Sequence, residues 1–442
     1  MKRISRPASG IPTVRRTPAE LDVALNALRE GSGPIAIDTE RAAMYRFDDR
    51  AYLIQLRREG AGTFIVDPTG HPAKLREWQD ALLAETPWLL HAAHTDLPAL
   101  LALGWQPSVL LDTQIAARLL GCHRLGLSLL LEEFLSISIP KDKGNADWSQ
   151  RPLPNSMLAY AALDVEYLVP MHDMMIKELA ELNRLDWYRQ ECEHDRLRAT
   201  PLAAPQWTDM KGASFLRPGT RAAIVAEALF ETRTKIARSA DIPPERLLSS
   251  KTIMSLAPQR FSAAKRDLTA EFDRLVRGPG ADRVNPHRHN ITLLSLLDAL
   301  SRAHNEPTTA ITTQKTKNAI DKDGELFGSI RPDAKTWEED YPQAWVALEI
   351  LRESNQELSE SLGISADAIM VARQMKFVAW EFTQRLNAPE FDPGDVDAVE
   401  ELLGNLLQHA GLRPWQVELV LNDATPYLLD EVVDGATYEE SS

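Results

Sequence analysis

Pro34-Ile35-Ala36-Ile37-Asp38-Thr39-Glu40 is the stretch on which the fold turns. Ile35, Ala36 and Ile37 favour a buried strand, and a strand's period of two puts Asp38 and Glu40 on one face where the apolar run ends. Two carboxylates therefore emerge together from a strand end. Farther along, Asp96 opens a helix-like segment, and Tyr160 stands four residues before Asp164 in Met157-Leu158-Ala159-Tyr160-Ala161-Ala162-Leu163-Asp164-Val165-Glu166-Tyr167-Leu168. That composition and spacing read as a helix, so Tyr160 and Asp164 share one face and a phenol stands beside a carboxylate.

Four carboxylates and a phenol in this arrangement suggest a two-metal nuclease site. Hard oxygen ligands suit magnesium or manganese, and two such ions roughly 3.5–4 Å apart stabilise both the attacking and the leaving oxygen of an in-line phosphodiester displacement. A phenol within hydrogen-bond reach orients the attacking water, and Tyr160 is the candidate for that role. Each fragment taken singly also has a structural reading, as a strand end, a helix cap or a solvated Tyr-Asp pair. Their order, spacing and context combine them.

The clusters resemble the exonuclease motifs of the ribonuclease D group within the DnaQ-like superfamily, in the subclass whose third motif carries tyrosine rather than histidine. Three further stretches are similar to the same family: Leu89-Leu90-His91-Ala92-Ala93-His94-Thr95-Asp96-Leu97, then Asp112-Thr113-Gln114-Ile115-Ala116-Ala117-Arg118-Leu119-Leu120-Gly121, and Asp147-Trp148-Ser149-Gln150-Arg151-Pro152-Leu153. The resemblance covers residues from about 17 to 205. It implies a ribonuclease-H-like fold in which Asp38, Glu40, Asp96 and Asp164 bind a pair of magnesium or manganese ions and Tyr160 positions the nucleophilic water. It further implies a 3′→5′ exoribonuclease that trims structured RNA ends, tRNA precursors among them, and releases nucleoside 5′-monophosphates.

In one place the chain departs from the family. The family usually carries a lysine, a polar run and Ser or Thr before the Asp-Trp pair; Lys141 matches by spacing, whereas Ala146 does not. Lys141 and Arg151 read equally as a solvated loop and as phosphate contacts. His91 and His94, near a buried strand end, read as satisfied packing residues rather than acids or ligands. Two other functions stay open at this stage. One is a DNA exonuclease of repair or proofreading type, because the motifs alone do not decide the sugar. The other is a nonhydrolytic nucleic-acid-binding module, against which the intact acidic positions argue.

The 442 residues, 44% of them hydrophobic, suffice for about three domains with separate cores. Strands are predicted near 34–38, 51–57 and 63–66, a helix over 72–84, an apolar run at 88–92, and helices near 96–104, 113–120 and 126–136. That order predicts an α/β domain, a mixed sheet flanked by helices, over residues 17–205 behind an N-terminal extension of residues 1–16. Pro201 and Pro205 mark a boundary, and helical periodicity resumes with Arg221–Arg233. Residues 211–304 resemble the helicase-and-RNase-D C-terminal (HRDC) domain, a small helical bundle often used as an accessory nucleic-acid binder. Residues 305–330 read as a linker. Residues 331–442 look like a second, weaker HRDC-like repeat with a frayed end at 437–442. The fold class is thus a ribonuclease-H-like exonuclease domain followed by two all-α domains.

Charge separates the segments: residues 1–210 carry a net −5, residues 211–304 a net +7, and residues 331–442 a net −16 within the chain total of −15. Only the middle segment has the sign to attract phosphates, so RNA is expected to be held by the exonuclease channel and the basic HRDC-like domain. The acidic last domain is expected to pack against the others or to repel RNA into the channel, with Trp337, Trp345, Trp380 and Trp415 as core rather than stacking platforms. Cys122 and Cys192 lack metal-type spacing and read as buried thiols in a reducing compartment. The basic N-terminus lacks the apolar core of a signal peptide, and no run approaches eighteen apolar residues. A cytoplasmic protein is expected, with no membrane association and no obligate protein partner.

Overall fold

The structure, a computed structural model, describes residues 2–140, 143–258, 290–305 and 331–434. Of the linker expected at 305–330, Asn305 ends a helix that begins at Asn290, and 306–330 lie outside the described residues, as does the frayed end at 437–442. Among the described residues, no helix is long and apolar enough to cross a membrane.

The strands are β1 (Lys2–Arg3), β2 (Val14–Arg15), β3 (Ser32–Arg41), β4 (Ala51–Glu59), β5 (Gly62–Val66), β6 (Trp88–Leu90), β7 (Leu110–Asp112) and β8 (Ile137–Ser138). Six of them form a mixed sheet in the order β2-β5-β4-β3-β6-β7, while β1 and β8 make a separate parallel pair. Within the sheet β3 is antiparallel to β4 and parallel to β6. Residues 2–16 are therefore strand-paired to the domain at two places, β1 on β8 and β2 on β5. Sequence pattern missed β1, β2, β7 and β8 because runs of two or three residues carry no measurable period.

The helices of this domain are α1 (Pro18–Glu30), α2 (Pro72–Trp78), α3 (Leu97–Ala102), α4 (Thr113–Leu119), α5 (Leu127–Leu135), α6 (Asn155–Glu166), α7 (Leu168–Glu181) and α8 (Leu185–Arg198). Local chemistry sets their starts. Thr17 caps α1 through a reciprocal box with Glu20, with Pro18 in the first turn, and Asp112 caps α4 by accepting from Gln114 N. The helix expected over 72–84 is instead two pieces, α2 and a π-helical turn over Gln79–Leu83. Ile35 and Ile37 of β3 face a core with α1 and the Trp78, Trp88 and Trp105 side chains, all three fully buried.

Beyond α9 (Arg221–Ala240) every secondary-structure element among the described residues is a helix. Its last part, with helices Pro342–Leu362, Ala372–Leu386, Val396–His409 and Pro414–Leu428, shares one continuous apolar core with α4, α5, α7 and α8. Trp337, Trp380 and Trp415 are buried in it, and Trp345 packs half-buried against it. Of the two roles expected for the acidic region, packing is what the structure displays. Trp187 of α8 stacks on Trp415 at 4.6 Å, and Glu191 Oε1 accepts from both Arg413 Nε at 2.5 Å and Trp415 Nε1 at 2.8 Å. Buried Arg184 donates to Leu119 O at the end of α4 and to Leu362 O at the end of the facing helix, so one cation serves two helix C-termini. Cys192 is buried as expected, whereas Cys122 is only half-buried; burial, then Glu133 and Glu178, push its thiol up to about 11.

Backbone meets backbone at the same seam. Gly121 holds φ at +82°, and a Cβ there would lie 2.0 Å from the Gly363 carbonyl oxygen. Gly121→Ala should therefore lower stability by about 2–4 kcal/mol, left-handed strain adding to the clash. A lowered thermal midpoint would show it, and an unchanged one would mean that the seam is not packed as described.

Candidate active site

The strand β3 presents Asp38 and Glu40 on one face, and Thr39 on the other. The helix α6 lies against β3, β4 and β5 and brings Tyr160 and Asp164 to the same place. One carboxylate oxygen each from Asp38, Glu40 and Asp164 lie within 4.8 Å of one another, a group that can hold a metal ion. Glu40 is buried, and its Oε1 has no hydrogen-bond partner among the described residues. The Tyr160 hydroxyl hydrogen-bonds the Asp164 carboxyl.

Asp96 stands differently. It is buried at the start of α3, where Oδ1 accepts from Thr39 Oγ1 at 2.5 Å and Oδ2 from Thr95 Oγ1 at 2.8 Å. The structure thus brings Asp38, Glu40 and Asp164 into one group and leaves Asp96 just outside it, turned toward two hydroxyls. Its charge still reaches the others. Burial first, then Asp96 and Asp164, raise the Asp38 carboxyl well above the usual range. Burial, then Asp38, Asp164 and Asp96, raise Glu40 likewise. Asp164 is pushed up to about 8 by burial and then by Asp96, with the Tyr160 hydrogen bond pulling the other way.

These shifts test whether the residues suit a metal. Three carboxyls gathered within 4.8 Å, with the charge of Asp96 beside them, resist ionisation unless a positive charge joins them. All donors are hard carboxylate oxygens, and an orphaned buried oxygen on Glu40 is among them. The set fits a hard divalent cation of the magnesium or manganese type.

The loop that carries Asp96 is held by a residue whose role the sequence did not disclose. Asp112 is buried at the end of β7 and accepts from Ala92 N at 3.0 Å, Ala93 N at 2.7 Å and Gln114 N at 2.7 Å. Ala92 has φ +59°, so the Asp112 carboxylate pins a left-handed turn four residues ahead of Asp96. Tyr188 OH accepts from Asp112 N at 2.9 Å and meets His172 Nε2 at 2.9 Å, which braces the pin from α7 and α8. The signal was present as Asp-Thr-Gln before an apolar run, an ordinary N-cap pattern.

His91 pairs through Nδ1 with Thr113 Oγ1 at 2.9 Å, and burial pulls its imidazole down to about 4, so it is a neutral packing group. His94 is exposed. Lys141 lies outside the described residues. Arg151 matches neither of its two readings: Nε pairs with Asp67 Oδ2 at 2.7 Å, and its other nitrogens donate to the carbonyls of Trp148, Gln150 and Tyr52. A loop with unpaired carbonyls needs such a fork of donors, and the guanidinium is fully engaged in holding it.

The segment after Glu40 touches the next domain. Asp241, just past α9, accepts from Arg46 Nη1 at 3.0 Å and from Phe47 N at 3.3 Å, while Arg238 covers the Phe47 ring and Arg246 the Tyr45 ring. Arg233 is buried and bound to Glu245 and Leu248 O. Part of the positive charge of residues 211–304 is thus structural.

Comparison with known proteins follows the same lines. A family model described as 3′-5′ exonuclease matches residues 12–180, and one described as 3′ to 5′ exonuclease C-terminal domain matches residues 331–427. The chain is similar to a ribonuclease D of Xanthomonas oryzae pv. oryzae, 33% identical over 271 residues, covering 59% of this chain and 72% of that one. Its structure is similar to a crystal structure of a protein from Bifidobacterium adolescentis, with TM-score 0.76, 26% identity and coverage of 96% of this chain and 99% of that one. It is also similar to Escherichia coli RNase D, an exoribonuclease involved in structured RNA processing, with TM-score 0.59, 25% identity and coverage of 90% and 99%.

Proposed function

Because the chain belongs to the ribonuclease D family, a family of 3′-5′ exoribonucleases, we propose that its acidic pocket removes nucleotides one at a time from the 3′ ends of structured RNA, tRNA precursors among them. The observation that carries this reading is the convergence of Asp38, Glu40 and Asp164, with Tyr160 on Asp164. Asp38, Glu40, Asp96 and Asp164 would hold two magnesium or manganese ions. Bound there, such ions would supply positive charge for both the attacking and the leaving oxygen of an in-line displacement.

The chain's own residues do the rest. Rigid β3 fixes the spacing of Asp38 and Glu40, and the Asp112 pin fixes the loop of Asp96. The Tyr160 hydroxyl, hydrogen-bonded to Asp164, would orient a water whose oxygen attacks the terminal phosphorus. The bond from phosphorus to the preceding 3′ oxygen breaks, that oxygen takes a proton, and a nucleoside 5′-monophosphate leaves. Residues 211–304, read as an HRDC-type domain, would add phosphate attraction through those basic side chains not engaged within the protein.

The test is a denaturing gel of 5′-labelled RNA bearing an extended tRNA 3′ end, beside matched single-stranded DNA, with magnesium or with chelator. Stepwise shortening of RNA only with metal is expected. Preferred shortening of DNA would assign a repair-type exonuclease instead, and binding without shortening a nonhydrolytic module.

A further inference from the structure

Gln55 occupies a position that packing alone does not explain. It lies on β4 directly across from Asp38 of β3, just as Leu53 lies across from Glu40. Residues directly opposite on neighbouring strands point to the same face with Cβ atoms about 4.5–5.5 Å apart, within reach of a glutamine amide. Leu53, on that same face, joins a core with Trp148, Met157 and Ala161 under α6. Position 55 therefore belongs to the layer between the sheet and the helix that carries Tyr160 and Asp164. Gln55 is 0% exposed, and neither Oε1 nor Nε2 has a hydrogen-bond partner among the described residues.

A buried primary amide with neither end paired costs stability, and a leucine or methionine of similar volume would fill the space without that cost. The amide is also the neutral polar side chain set across the strand from the first carboxylate of the site. An ionised carboxylate only accepts hydrogen bonds, and the Gln55 Nε2 group only donates. We propose that Gln55 is a positioning residue of the carboxylate site, its amide set across the strand to orient Asp38 and thereby the ions that the carboxylates would hold. Ligating carboxylates are in turn hydrogen-bonded, and loss of such a partner typically costs 10–100-fold in metal affinity or activity. The inference rests on the metal-site reading above and names the residue that orients one of its ligands.

The experiment compares the full chain with Gln55→Leu, Gln55→Met and Asp38→Asn in three measurements: thermal midpoint without metal, Mn²⁺ titration by calorimetry, and kcat and KM on RNA. The expected result for Gln55→Leu is a midpoint at or above that of the parent, with kcat and Mn²⁺ affinity each lower by about 10–100-fold and KM unchanged. Kcat and Mn²⁺ affinity matching the parent would overturn the proposal and leave Gln55 as packing. So would failure of both Gln55 variants to fold, because an amide without partners of its own should be dispensable to folding. Undiminished Mn²⁺ binding by Asp38→Asn would instead sink the metal-site reading, an outcome separate from the Gln55 result.

Discussion

Asp38→Asn should lower kcat by about 10³-fold or more while making the metal-free protein more stable. The first effect follows from removing one ligand of the ion pair: a loss of about 4 kcal/mol in transition-state stabilisation corresponds to roughly three powers of ten. The second follows from the sign of the proton linkage. In the metal-free fold, burial and then Asp96 and Asp164 raise the Asp38 carboxyl well above its unfolded value. Between the two values the folded chain keeps a proton that the unfolded chain has released, so stability falls as pH rises through that window. Asparagine has no proton to lose and removes one partner in the repulsion that also raises Glu40. The thermal midpoint of the metal-free variant should therefore exceed that of the parent at pH 7–8, and the two should converge below about pH 4, as the unfolded carboxyl itself becomes protonated. Magnesium should then raise the midpoint of the parent more than that of the variant. Retention of more than about a tenth of the parent rate would contradict a two-metal role for Asp38.

The opposed pulls in that experiment reflect how the site was legible in sequence. Asp38 and Glu40 could be placed on one face because an apolar triplet fixes a strand and a strand fixes alternation; Tyr160 and Asp164 could be paired because a helix fixes the i, i+4 relation. Those are local rules. What could not be read is the orientation of Asp96, whose carboxyl is tied to Thr39 and Thr95, because the hydroxyls come from another strand and from a short turn. The same limit hid Asp112 and Gln55. Each acts across a strand pairing whose register no short stretch contains. Arg151 was ambiguous for a further reason: a long cation serves a phosphate and a backbone carbonyl equally well, and only the surrounding carbonyls of Tyr52, Trp148 and Gln150 decide. The seam with the last helices likewise depends on Gly121 meeting Gly363, two ordinary helix-end glycines in sequence.

Tyr160→Phe should lower kcat by about 10²-fold with KM for RNA unchanged, the cost of losing a group that orients or deprotonates the attacking water. The substitution removes one oxygen and leaves the ring, which lies half-buried with its centroid 6.1 Å from that of fully buried Trp148. Stability should change by less than about 1 kcal/mol, since the lost hydrogen bond is one of modest net worth. Tyr160→Ala, by contrast, would also lose the ring's packing and lower the thermal midpoint. The pair of variants thus separates chemistry from structure: a catalytic hydroxyl makes Phe nearly as inactive as Ala though far better folded, whereas a packing tyrosine makes Phe nearly as active as the parent. The hydroxyl's bond to Asp164 adds a second readout, because that bond holds the carboxyl below where burial and Asp96 would otherwise push it. Without it, Asp164 should keep its proton to higher pH in the metal-free protein, and Mn²⁺ binding should release more protons near pH 8 than it does in the parent. A Phe variant with parent kcat and parent proton release would remove Tyr160 from the mechanism and leave the carboxylates to act without it.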